Sequence, residues 1–217
     1  MRNVFEEELS QLKKDMISMG ALCEDAIRTS TKYLMSPDTD RTREIADMVE
    51  QVNHKEREIE NLCLKLLMQQ QPVARDLRVV SSALKMVSDL ERIGDNADDI
   101  AEIISMGNIQ PRDVKDIEIF SMADAASHML SSAIDSFVRD DETIARAVIE
   151  EDDTVDDYFN KIKSELAGSV ESGARNLDGI LDLFMIAKYF ERIGDHSVNV
   201  AQWVVFMITG VLEGNTN

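Results

Sequence analysis

Carboxylates are the side chains in this sequence whose spacing suggests chemistry. The pentapeptide Glu91-Arg92-Ile93-Gly94-Asp95 recurs letter for letter as Glu191-Arg192-Ile193-Gly194-Asp195. Acids four residues apart lie on one face of a helix. Other acids fall where a helical pattern is otherwise apolar: Asp152 and Asp156 between Ile149 and Phe159, and Glu56 between Val52 and Ile59. A carboxylate taken out of water is costly unless it is paired or bound to a cation. Several at close range repel until protons or a cation neutralise them. Oxygen-only ligand sets suit hard cations such as Mg2+, Mn2+ and Ca2+, or iron in carboxylate-rich sites. The spacing therefore points to a metal-binding carboxylate cluster in each half of the chain. The competing reading is a solvated helix face, its acids neutralised by Arg92, Arg192 and nearby lysines as surface ion pairs.

Six helices must position these residues. Phe5, Leu9, Leu12, Met16, Met19, Cys23, Ala26, Ser30 and Tyr33 step by threes and fours along one stripe, up to a break at Ser36-Pro37-Asp38. Ile45 to Leu66 marks a second helix ending before Pro72, and Leu77, Val80, Leu84, Val87 and Leu90 open a third that runs to Gly107. The stretch Gly107 to Pro111 is the boundary between halves, giving domains 1–108 and 109–217. Ile119 to Phe137 forms the fourth helix, Ala145 to Leu166 the fifth, and the sixth runs from near Asn176 to Gly210. The expected fold is all-α: two tandem three-helix bundles of long antiparallel helices, placed end to end.

The second half repeats the first. A shift of 100 residues superposes the two pentapeptides, and also lays Ala74-Arg75-Asp76-Leu77 on Ala174-Arg175-Asn176-Leu177 and Glu56 on Asp156. Folding the fifth and sixth helices back about the Gly173 loop brings Asp156 opposite Glu191 and Asp152 opposite Asp195. The same fold about Pro72 brings Glu56 opposite Glu91, but the residue opposite Asp95 is Val52. The second half thus gathers four acids and the first only three. His196 falls opposite Glu151 and is a candidate outer ligand.

The chain has 217 residues and a formal net charge of −19, which argues against nucleic-acid binding because phosphate backbones are repelled. Its two cysteines, Cys23 and Cys63, lack zinc or disulfide spacing and fall at apolar positions. The opening residues turn acidic at once and do not read as a signal peptide, and no apolar run approaches the ~20 residues of a membrane helix. A cytoplasmic protein that meets membranes only through partners is expected. The Glu-x-x-His element of di-iron bundles is missing, as are a phosphate loop, a serine elbow and a Cys/His pair. Twelve methionines, among them Met16, Met19, Met86, Met129 and Met185, read as core filler. No residue set looks catalytic.

The tandem pentapeptides, the opening Phe5-x-x-Glu8-Leu9 leading to Met19-Gly20, the segment Gln71 to Arg78 and the acidic run Ile149 to Asp156 together resemble the PhoU family of phosphate-uptake regulators over nearly the whole chain. The resemblance implies a non-enzymatic cytoplasmic regulator linking an ABC phosphate transporter, through its ATPase, to a sensor histidine kinase and repressing the response when phosphate is plentiful. It also implies a homodimer and a multinuclear metal cluster, of iron or another divalent metal such as Zn, Ni, Mn or Mg. The ligands would be Asp152, Asp156, Glu191 and Asp195 in the second half and Glu56, Glu91 and Asp95 in the first, with help from Asp99 and Asn199 one turn beyond each pentapeptide. Val52 departs from the family pattern, where an acid stands. A metal-free adaptor whose acids meet basic partner surfaces, and a carboxylate metalloenzyme, are the alternative readings.

Overall fold

A computed structural model of the chain describes residues 2–36, 39–70, 72–110, 113–114 and 117–211. Six helices run in order: α1 Arg2–Met35, α2 Thr39–Gln70, α3 Arg75–Ser105, α4 Ile119–Arg139, α5 Glu142–Glu171 and α6 Leu177–Thr209. Each bears the threefold and fourfold apolar spacing that buries one side of a helix. Of the breaks expected from sequence, Pro37-Asp38 and Pro111 lie outside the described residues, and α2 ends at Gln70 before the expected break at Pro72. The last turn is defined by its caps. The Asn176 side chain accepts the Gly179 N–H to start α6, and Gly210, at φ 78°, closes it in the left-handed region that glycine adopts without strain.

Helices α1, α2 and α3 pack together, as do α4, α5 and α6, and the two bundles join through α3 against α6 and α1 against α4. The bundles therefore lie side by side, not end to end as the sequence reading expected. The reason is visible in α3 and α6. Their buried residues, such as Val79, Val80, Met86, Ile93, Ala97 and Ile100 in α3, cover more of the helix than one stripe, leaving apolar surface that only the other bundle can bury. The α3–α6 pair is antiparallel: Arg78 Nε donates to the Met207 carbonyl (3.0 Å) at one end, and Asn108 Nδ2 to Asp182 (3.0 Å) at the other. At the second junction Gly20 lets α1 approach α4, since a Cβ there would lie 2.8 Å from Ile134 Cγ1.

The core is continuous across both junctions. Cys23 and Cys63 are buried free thiols; burial pushes the Cys63 thiol up to about 12, and Cys23 higher still, while Cys23 Sγ donates to the Leu90 carbonyl (3.2 Å). Both act as small hydrophobes. Met16, Met19, Met86 and Met129 are fully buried, as expected, but Met185 is exposed.

Candidate functional site

In the second half the hairpin of α5 and α6 brings the predicted acids into one electrostatic group. Asp152 is half-buried and its carboxyl is pushed up to about 6, first by loss of water and then by the charges of Asp195, Asp156, Asp153 and Glu191. Asp156 and Asp195 are also held above the usual carboxylate range, by partial loss of water first and by Glu191 next. Lys188, one turn before Glu191, opposes this: its ammonium pairs with the Glu191 carboxylate and lies 5.3 Å from the centroid of the Phe159 ring. The sequence reading allowed for neutralisation by nearby lysines without naming Lys188, although a lysine three residues before the glutamate is a readable signal.

The acids are less buried than their place in the pattern suggested. The fully buried line of α5 runs through Ala145, Val148, Val155, Ile162 and Leu166. Asp152 flanks that line, and Asp156 is exposed one turn further on. Spacing by threes and fours between Ile149 and Phe159 places both on the apolar stripe, but a helix of 3.6 residues per turn carries the stripe past position 156. Gly194 lies across from Asp152: a Cβ there would sit 3.6 Å from Asp152 Oδ1 and 3.4 Å from Val155 Cγ1.

The first half is built on the same hairpin with a different filling. Half-buried Glu56 is raised by loss of water and then by Glu91 and Glu60, against the opposing charges of Arg57 and Arg92. Arg92 reaches both acids of its own pentapeptide, with Nη1 3.3 Å from Asp95 Oδ2 and Nε 3.6 Å from Glu91 Oε2. Its counterpart Arg192 instead lies over the Tyr189 ring, 5.7 Å from the centroid. Val52 is fully buried, and a Cβ on Gly94 would come within 3.1 Å of its Cγ1.

Asp99 and Asn199 face the seam between bundles. Asn199 Nδ2 donates to Asp89 (3.1 Å), and the Tyr189 hydroxyl is raised by loss of water first and then by the neighbouring Asp99 carboxylate. The two pairings are equivalent, because each joins position 89 or 189 of one half to position 199 or 99 of the other. His196 also belongs to the seam, with Nδ1 2.9 Å from Asp89 Oδ1; Glu151, its expected neighbour, is met by His128 at 2.9 Å. Hairpin arithmetic on α5 and α6 could not find these partners, since Asp89 comes from the other half and His128 from α4.

The donor set of each cluster is oxygen alone and suits a hard cation. Among the described residues, no three His, Cys, Asp or Glu side chains stand together as ligands of one ion. In the second half the acids repel one another around Asp152, with Lys188 neutralising Glu191 in part. In the first, Arg92 supplies much of the neutralisation itself.

The profile of the PhoU domain matches the chain twice, at residues 16–104 and 119–204. A phosphate-specific transport system accessory protein PhoU homologue from Synechocystis is 33% identical over 98% of this chain and 94% of its own length. One from Clostridium acetobutylicum is 31% identical over 96% of each. The crystal structure of PhoU from Pseudomonas aeruginosa superposes with a TM-score of 0.88 at 30% identity, covering 95% of this chain and all of that one. PhoU from Streptococcus pneumoniae, described as a phosphate transport system regulatory protein, shares the fold at a TM-score of 0.88 and 24% identity. These relatives are named as accessory or regulatory proteins and not as enzymes. Two domain matches in tandem, on a fold of paired three-helix bundles, place this chain in the PhoU family.

Proposed function

We propose that the protein is a cytoplasmic accessory protein of a phosphate-specific transport system, a cation-binding adaptor between the transporter ATPase and a sensor histidine kinase. It restrains uptake and gene expression when phosphate is plentiful. Kinship along the whole chain with accessory proteins of such systems supports the role. The absence, among the described residues, of any helix long and apolar enough to cross a membrane agrees with contact to the membrane through the transporter.

One observation carries the cation: Asp152 is pushed up to about 6 with Asp195, Asp156 and Glu191 all contributing. A divalent ion or a multinuclear cluster bound there removes that repulsion. Asp152, Asp156, Glu191 and Asp195 hold it in the second half, and Glu56, Glu91 and Asp95 form a weaker site in the first. Asp99 and Asn199 adjust the seam beside each cluster. Iron, Zn, Ni, Mn and Mg are all compatible with the proposal, and the protein is a homodimer in it.

The metal-free alternative draws on two facts: no ligand triad is preformed among the described residues, and Arg92 and Lys188 already pair with pentapeptide acids. Elemental analysis of protein purified with metals preserved separates the two readings. Bound metal in the wild type, lost in Asp152→Ala/Asp195→Ala, is the expected result; equal content in both proteins sinks the metal assignment. For the adaptor role, a pull-down from phosphate-replete cells is expected to recover the transporter ATPase or the kinase, and recovery of neither counts against it.

A further inference from the structure

An apolar stripe on the first half of α6 serves neither the core nor the acid clusters. Leu177, Leu181 and Met185 recur every four residues and are 51%, 61% and 41% exposed. Val170, 46% exposed, closes α5 just before the turn in which Gly173 N donates to its carbonyl. Met106, 63% exposed, follows α3; two residues later Asn108 is fastened to α6, donating to Asp182 and accepting from Asn176 Nδ2 (2.9 Å). Five large exposed apolar side chains thus lie on the first half of α6, at the end of α5 and just past the end of α3. Scattered exposed apolar residues are ordinary, but a periodic run joined from neighbouring elements marks an interaction surface.

The duplication supplies a control. The positions of α3 aligned with Leu177, Leu181 and Met185 hold Leu77, Ser81 and Lys85. Nothing in the architecture therefore requires apolar residues there, and the stripe is particular to the second half. Beside it, a cavity of about 780 Å3 opens at the hairpin turn, with apolar walls from Ile117, Leu166, Ile180 and Leu183.

Charge indicates the occupant. Glu171, Asp178 and Asp182 flank the stripe and Glu102 stands on the last turn of α3, outnumbering the exposed Arg175 at the cavity, in a chain of net charge −19. Such a rim repels an acidic segment and attracts a basic one. We propose that this end of α6 is the docking site of a partner's amphipathic helix, with leucine- or methionine-like residues on one face and Lys or Arg on both flanks. The apolar face covers Leu177, Leu181 and Met185, one anchor side chain enters the cavity, and the cations meet Glu171, Asp178 and Glu102. The proposal does not depend on metal binding.

The test uses the full chain and a synthetic helical peptide of leucine and lysine patterned to this description, against a scrambled peptide of identical composition. Binding is followed by amide NMR shifts of the labelled protein. Saturable shifts confined to the end of α3, the α5–α6 turn and the first half of α6 are expected. Leu177→Ser/Leu181→Ser should weaken the affinity roughly tenfold or more while the rest of the spectrum stays in place, since both side chains are exposed. Equal binding of the scrambled peptide, shifts spread over other acidic faces, or an unchanged affinity in the double variant would overturn the proposal. So would self-association, or binding to phosphatidylcholine vesicles, that the wild type shows and the double variant loses. Those outcomes would assign the stripe to a second copy or to a membrane.

Discussion

The two halves share three helices, a hairpin and an identical pentapeptide, yet their clusters differ at the joint between the hairpin helices and at Lys188, which aligns with Ser88. Where the second half has half-buried Asp152, the first has fully buried Val52. With valine there, α2 and α3 close against Gly94, and Arg92 is free to bridge Glu91 and Asp95. With aspartate there, four carboxylates face one another and Arg192 is turned to Tyr189. The duplication has kept the packing frame while position 52/152 fills the joint with an apolar side chain in one half and an acid in the other.

The largest expected effect comes from converting the first joint into the second. Val52→Asp places a carboxylate in a fully apolar contact, and in chelated protein should cost roughly 2–4 kcal/mol of stability. The check is denaturant unfolding, with and without Mn2+. If position 52/152 governs cation binding, Mn2+ restores a substantial part of the loss and stoichiometry rises. A variant destabilised to the same extent with and without Mn2+ would show that four acids are not enough.

The second prediction works on the other side of the comparison. Asp152 has a folded value of about 6 against an ordinary 3.8, so in the metal-free protein its ionised form opposes folding. That cost is absent below the unfolded value, grows as pH rises from about 4 to about 6, and is full at pH 7. Because the carboxyl is partly solvated, the screened penalty is about 1 kcal/mol and not the whole two-unit shift. Asp152→Asn should therefore stabilise chelated protein by about 1 kcal/mol at pH 7, and the gain should fade on acidification to pH 4. Thermal unfolding with a chelator at both pH values reads this directly. A gain of equal size at both would mean that removing the acid, and not its ionisation, is what stabilises.

Much of this was readable from the chain, because the signals were local or periodic. The six helices follow from apolar spacing, and the facing of Asp152 with Asp195 follows from the symmetry of a hairpin about Gly173. The side-by-side docking was not readable. The docking surface of α3 and α6 differs from an ordinary core face only in width, and its polar partners, such as Asp89 with His196 and Asn199, come from opposite halves. Met185 illustrates the same limit. Its spacing fits a buried stripe, but it sits at an angle on α6 that no neighbouring helix covers.

The smallest effect isolates helix approach from charge. Glycine inside a helix costs about 1 kcal/mol relative to alanine, so each pentapeptide glycine carries a penalty that an alanine would relieve if space allowed. At Gly194 it does: the nearest atoms to an added Cβ are 3.4 Å and 3.6 Å away, ordinary contact distances. Gly194→Ala should stabilise by about 0.5–1 kcal/mol. At Gly94 the Cβ would come 3.1 Å from Val52 Cγ1, in a core with no slack, so Gly94→Ala should gain nothing or lose slightly. A double-mutant cycle sharpens the point: adding Val52→Ala should recover the helix gain of Gly94→Ala, giving a favourable coupling of roughly 1 kcal/mol. Equal effects of the two glycine substitutions, with no coupling to position 52, would mean that the halves are equally open at this joint. The difference between them would then lie in charge alone.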